Sequence, residues 1–186
     1  ASKEATRLHI GPEITNLPLY RNRHALYKTD PDLQRAHARF PWLVTWDDHE
    51  LDNNCAGPVS QDADAKPEDF LIRRAAAYQA YYEHMPLRRT SLPHGPDMQL
   101  YRKLSFGNLA ELFVLDGRQY RSDQPCGDGR KTQCPDALAA ERSMLGAPQE
   151  KWLASGLEAS PAKWNVLAQQ VMMARVGFKP DGEPDT

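Results

Sequence analysis

The sequence predicts an α/β fold, a layered sheet with helical excursions. Three observations point there. Leu43-Val44-Thr45-Trp46 is a short, continuously apolar run of the kind that forms a strand buried on both faces. Two strand-like segments, 100–106 and 109–115, flank Gly107-Asn108, a dipeptide that marks hairpins. Between and after them stand helical stretches opened by proline, and a further strand pattern at residues 164–170. Strands and helices that alternate in this way build sheets with helices packed on them.

In chain order, residues 1–12 carry no strong periodicity. Thr15 is positioned to cap a helix that runs through Tyr27. Asp30 caps the next one, Pro31 fits its first position, and Pro41 stops it. After the apolar run at 43–46 and a polar loop at 57–66, Pro67 opens the strongest helix pattern, which ends before Pro86. Leu71, Ala75, Tyr78, Tyr82 and Met85 recur on it at spacings of three and four, so this stripe is expected to face the core, with Arg73, Arg74 and Glu83 solvated. The hairpin follows, its second strand running into Asp116-Gly117-Arg118. Residues 141–145 read as a helical turn, Pro148 opens a helix through Leu157, and the tail from Lys179 is turn-forming.

The totals narrow the function classes. Forty per cent hydrophobic and 26% charged residues describe a chain able to bury a core. A net charge of −2 gives no reason to expect a polyanion partner, and there is no nucleic-acid-binding signature. No apolar stretch approaches the roughly 18 residues of a membrane helix. No signal peptide is read at Ala1. Cys126 and Cys134 lie eight apart in a polar loop. A disulfide closing that loop, which would indicate an oxidising compartment, and a pair of free thiols both fit the spacing, and the bridge is the favoured reading. Cys55 is left over, as structural or incidental.

The chemistry is concentrated in Asp47-Asp48-His49-Glu50-Leu51-Asp52-Asn53-Asn54, directly after the apolar run. An acid that caps a helix accounts for one carboxylate there, not four, and four close acids repel unless cations neutralise them. Hard oxygen donors beside one imidazole suit divalent metals and phosphate chemistry. The second cluster, Asp116-Gly117-Arg118, is either a structural ion pair or part of the same site. Open α/β sheets bind ligands outside the carboxyl ends of their strands, so two clusters following parallel strands would line one crevice. Arg118 could then grip phosphate oxygens with its planar fork, and His49 could exchange protons near neutral pH. There is no glycine-rich phosphate loop and no G-x-S-x-G nucleophile elbow.

Trp46-Asp47-Asp48-His49-Glu50 with Asp52-Asn53-Asn54, followed by Leu115-Asp116-Gly117-Arg118-Gln119-Tyr120-Arg121, resembles the PhoD-type alkaline phosphatases. So do Tyr20-Arg21-Asn22-Arg23, Asp30-Pro31-Asp32-Leu33, Gln149-Glu150-Lys151-Trp152-Leu153 and Trp164-Asn165-Val166-Leu167-Ala168-Gln169-Gln170. The resemblance implies a metallophosphoesterase-like β-sandwich, two facing sheets flanked by helices. It implies hydrolysis of phosphate monoesters, often diesters, with calcium and iron as metals, usually after export to the periplasm or the medium. It places metal on Asp47 or Asp48 and on Asn54, His49 at the phosphate or a metal, and Arg118 near the phosphate. The family's first glycine-aspartate motif, its upstream cysteine and its closing glycine-aspartate-x-histidine motif are not in these 186 residues. The expectation is therefore a single, partial catalytic domain over residues 1–186, which needs the rest of that domain to act. The other reading is a non-catalytic structural or interaction domain.

Overall fold

The computed structural model describes residues 9–127 and 134–173. Its architecture is mixed α/β, with four α-helices and one three-stranded sheet among the described residues. The expected second, facing sheet is not among them, and the tail from Lys179 lies outside them.

Helix α1, Leu17–Lys28, is capped by Asn16, whose side chain accepts the N–H of Leu19 at 3.2 Å. The cap is thus one residue later than Thr15, because an asparagine oxygen placed before Leu17 reaches a free N–H of the first turn. Helix α2, Pro31–Arg39, is capped by Asp30 as expected, through the N–H groups of Asp32 and Leu33. It buries no residue. Trp42 folds back on it, its ring stacked on His37 at 4.2 Å.

Helix α3, Pro67–His84, is the spine of the core. Its buried residues are Phe70, Arg74, Ala77, Tyr78, Ala80 and Tyr81. The buried face is rotated from the expected one: Leu71 and Tyr82 are only half-buried, Ile72 is exposed, and Tyr78 alone of the expected stripe is fully buried. Arg74 is buried, contrary to expectation. Its guanidinium donates to the carbonyls of Pro96 and Gly57, both at 2.8 Å, and pairs with Asp97 at 3.1 Å, so its charge is not left unsatisfied. Arg73 is also largely covered, held by Tyr20, Leu51, Asp52 and Glu13.

Strands β1, Arg102–Phe106, and β2, Ala110–Val114, form the antiparallel hairpin that Gly107-Asn108 announces, with Phe106 opposite Ala110. Gly107 takes a φ of +55°, which glycine adopts without strain. Strand β3, Trp164–Ala168, pairs parallel to β2 on the other side. The crossover carries a short 3₁₀ turn at Pro135–Leu138 and helix α4, Ala147–Glu158. Residues 141–145 are turn and bend rather than a helical turn. There Ser143 binds its own downstream N–H groups, Leu145 at 3.1 Å and Gly146 at 2.6 Å, an alternative to helical pairing. Cys126 and Cys134 are joined by a disulfide.

The apolar run does not become a ladder strand. Residues 41–47 carry neither helix nor strand, and Trp42 and Leu43 are exposed while Val44 and Trp46 are buried. Side chains meet its backbone where a neighbouring strand would: Arg102 Nη2 donates to the Val44 carbonyl at 2.8 Å, and Gln170 Nε2 to that of Trp46 at 2.5 Å. Trp46 then stacks on Tyr78 at 4.1 Å and meets Tyr81 edge-on at 5.5 Å. Tyr20, Leu51, Cys55, Met98 and Leu100 complete this core. The acidic turn is therefore fixed through its first residue, Trp46, driven into the aromatic face of α3.

Candidate active site

The two clusters meet. Arg118 donates Nε to Asp47 Oδ1 at 2.6 Å, across 71 positions of sequence. Its Nη2 faces Asp48 Oδ2 at 3.7 Å and its Nη1 the Cys55 carbonyl at 3.5 Å. The two clusters are therefore adjacent, but not by the expected route of two parallel strand ends: only the second cluster follows a strand.

Asp116 organises the meeting point. It is fully buried just past β2. Its Oδ1 accepts Trp46 Nε1 at 2.9 Å and the backbone N–H groups of Arg118 and Gln119 at 3.0 and 2.9 Å. Oδ2 accepts Gln119 Nε2 at 3.2 Å. Burial pushes its pKa above the ordinary carboxylate value, against the pull of those donors. One carboxylate thus ties the tryptophan that anchors the first cluster to the backbone that presents Arg118. Gln149, also fully buried, clamps the same residue from α4: Oε1 accepts the Asp116 N–H at 2.9 Å and Nε2 donates to its carbonyl at 2.8 Å. Gln170 lies across Gly117, where an added Cβ would come within 2.9 Å of its Oε1. A side chain at Gly117 would lever Gln170 away from Trp46.

Within the first cluster the acids divide the work. Asp48 is buried and turns the chain: its carbonyl accepts the N–H groups of Leu51 and Asp52, both at 2.8 Å, and its carboxylate those of His49 at 3.0 Å and Asn54 at 2.9 Å. Burial raises its pKa, but the Asn54 N–H and the Arg118 charge outweigh that and hold it below the ordinary value. Asn54 takes a left-handed φ of +54°, a conformation asparagine tolerates better than most residues. Glu50 accepts the Asp47 N–H at 2.9 Å, and burial raises its pKa. Asp47 is part-exposed and His49 is exposed. Cys55 is buried behind them as a thiol, its pKa pushed up to about 12 by desolvation. A void of about 10 Å³, the volume of roughly one water, lies between Trp46, Asp47, Glu50, Tyr81 and Arg118. His49 and Glu50 also open onto a larger cleft of about 350 Å³ that includes His9, Arg23, His24, Tyr27 and Met85.

All five expected site residues, Asp47, Asp48, His49, Asn54 and Arg118, belong to this one region. Carboxylate and amide oxygens suit a hard cation. Among the described residues, however, no three His, Cys, Asp or Glu side chains converge to hold one. The donor chemistry fits a metal and the donor number does not make a centre. Sequence reasoning missed Asp116 as organiser and the amides of Gln119, Gln149 and Gln170. For Gln149 and Gln170 the signal was an amide in a helical or largely apolar stretch; Gln119, among polar neighbours, gave none.

Fold and site define a partial α/β unit with a carboxylate–guanidinium cluster past the end of its central strand. Residues 1–185 match the PhoD-like phosphatase family, and the chain belongs to that family. It is 53% identical over 178 residues to alkaline phosphatase D of Bacillus subtilis (strain 168), an alignment covering 96% of this chain and 30% of that protein. A solved structure described as the structure of PhoD superposes with a TM-score of 0.92 at 53% identity, covering 96% of this chain and 34% of that one. The chain therefore spans about a third of the length of these relatives.

Proposed function

We propose that the complete protein is a metal-dependent phosphoric ester hydrolase, acting on monoesters and possessing diesterase capacity, and that residues 1–186 form one wall of its active site. The observation that carries this reading is the Arg118–Asp47 pair, which joins two distant acidic and basic motifs at one place. Membership of the phosphatase family supports the reaction class.

In this reading Asp47, Asp48 and Asn54 contribute oxygen ligands to a centre completed by residues outside this chain, with calcium and iron as the expected metals. A carboxylate oxygen has two lone pairs, so one that accepts an N–H retains capacity for a cation. When bound, the metals acidify the attacking water. The chain's own residues do the rest. Arg118 fixes Asp47 through Nε, while its Nη groups, at 3.5 and 3.7 Å from their neighbours, hold no strong hydrogen bond and keep donors for non-bridging phosphate oxygens. His49, exposed beside the cluster, delivers a proton to the leaving oxygen. The remainder of the same domain is the required partner. Exposed Trp164 on the edge strand β3, with Phe106 and Leu109 at the hairpin turn, supports that need and equally a non-catalytic interaction role for the chain alone. The disulfide supports an exported location, secreted or periplasmic.

The test is substitution in the complete protein. Arg118→Ala and His49→Ala are each expected to lower kcat by about 10²- to 10³-fold, the usual cost of removing one group that stabilises the transition state. Circular dichroism should remain that of the parent. Unchanged turnover in both variants would remove this cluster from the mechanism.

A further inference from the structure

The cleft beside the acidic cluster has a built character of its own. Its floor is apolar and aromatic: Ile14, Met85 and the ring of Tyr20. The Tyr20 hydroxyl is taken up elsewhere, donating to the Leu51 carbonyl at 2.7 Å and accepting Arg73 Nε at 2.8 Å, and its ring is buried in the core beneath the cleft. His24 also lines it, its ring backed by that of His84 at 5.0 Å and 14°. Desolvation, with the neighbouring charges of His84 and Lys28, lowers the His24 pKa to about 4, so at neutral pH this is a flat uncharged ring. The same helix α1 also presents a chain of polar contacts, in which Arg23 donates to His9 Nδ1 at 2.8 Å and His9 Nε2 meets the Tyr27 hydroxyl. Arg23 and Glu50 are one charge of each sign, so the cleft has no field that selects a second phosphate. Its volume of about 350 Å³ is at the small end of ligand pockets.

His49 and Glu50 belong to both the cluster and the cleft. A phosphate held at the cluster would therefore direct one ester substituent past His49 into this space. We infer that the cleft between α1, Met85 and the acidic turn seats the leaving group of the substrate, and that it favours a planar aromatic or heteroaromatic alcohol over an aliphatic one. This assignment rests on the phosphoesterase reading above. Flat rings gain from stacking and from contact with the Met85 thioether, whereas a polyol finds only the Arg23–His9–Tyr27 side to bind it. His24 and Met85 are then specificity residues, remote from the bond that breaks.

Two measurements test it. In the complete protein, kcat/KM is determined for 2-naphthyl phosphate and for glycerol 2-phosphate, in the parent and in His24→Leu and Met85→Ala. Comparing the ratio of the two substrates between variant and parent cancels their intrinsic reactivities. The aryl-to-alkyl ratio is expected to fall about 3- to 10-fold in each variant, the range that one stacking or sulfur–ring contact provides. A ratio unchanged in both variants overturns the assignment. Separately, 2-naphthol is titrated into the 186-residue chain and followed by methyl NMR. Saturable shifts at the Met85 methyl, lost in His24→Leu, are expected. No shift there overturns the cleft as an aromatic site whether or not the complete protein is a phosphatase, while shifts with an inactive complete protein would sink the phosphoesterase reading and the leaving-group role with it, leaving an aromatic-binding cleft.

Discussion

Asp116 offers the sharpest structural prediction. Truncation to alanine leaves Trp46 Nε1 and the N–H groups of Arg118 and Gln119 without their acceptor in a fully buried place. Gln119 Nε2 keeps the Met98 carbonyl at 2.8 Å and is not orphaned. Each stranded buried donor costs about 1–3 kcal/mol, and a water entering the space left by the carboxylate relieves one of them, so Asp116→Ala should lose about 4 kcal/mol. Asp116→Asn retains an oxygen for the three donors on Oδ1 and sets an amide N–H₂ against Gln119 Nε2, which should cost about 1–2 kcal/mol. The difference between the two variants isolates the acceptor from the charge. Urea unfolding of the chain, followed by tryptophan fluorescence, measures both. Equal losses in the two variants, or an alanine variant within about 0.5 kcal/mol of the parent, would refute the view that this carboxylate holds Trp46 and Arg118 together.

Two further outcomes follow from burial. Cys55 is a buried thiol and the other two cysteines are bridged, so Ellman's reagent should find no thiol in the native chain, one in guanidinium without reductant and three after reduction; three without reductant would contradict the bridge. His24 has a folded-state pKa of about 4 against 6.5 for the free side chain, so the unfolded chain takes up the proton first as pH falls. Its contribution is therefore intact above pH 6.5 and lost between 6.5 and 4, about 2 kcal/mol after allowance for solvent screening. The melting temperature of His24→Gln should fall less steeply than that of the parent over that window, and parallel curves would count against the buried, neutral imidazole.

What the sequence disclosed was local. Asp30-Pro31 stated where α2 starts, Gly107-Asn108 where the hairpin turns, and Pro67 with Pro86 how long α3 is, because caps, turns and prolines act through the residues beside them. The phase of α3 was not legible. Arg74 is on its buried face because three distant acceptors satisfy its guanidinium, and no periodicity announces them. Residues 43–46 read as a strand because apolar runs usually are; here Arg102 and Gln170 meet the backbone instead. The candidate site was legible as two motifs and illegible as a geometry. The Arg118–Asp47 contact depends on Asp116, Gln149 and Trp46 acting together across three elements.

In the proposed function, residues 1–186 hold one wall of a phosphoesterase site and not a complete centre. Hydrolysis of 4-nitrophenyl phosphate by this chain and by the complete protein, side by side and with calcium, iron, manganese and zinc each supplied in turn, measures it directly. The complete protein should turn over in a metal-dependent way and the chain should not rise above background with any metal, because among the described residues too few ligands converge to fix a cation and an attack geometry. Robust metal-dependent turnover by the chain alone, or an inactive complete protein, would contradict the claim.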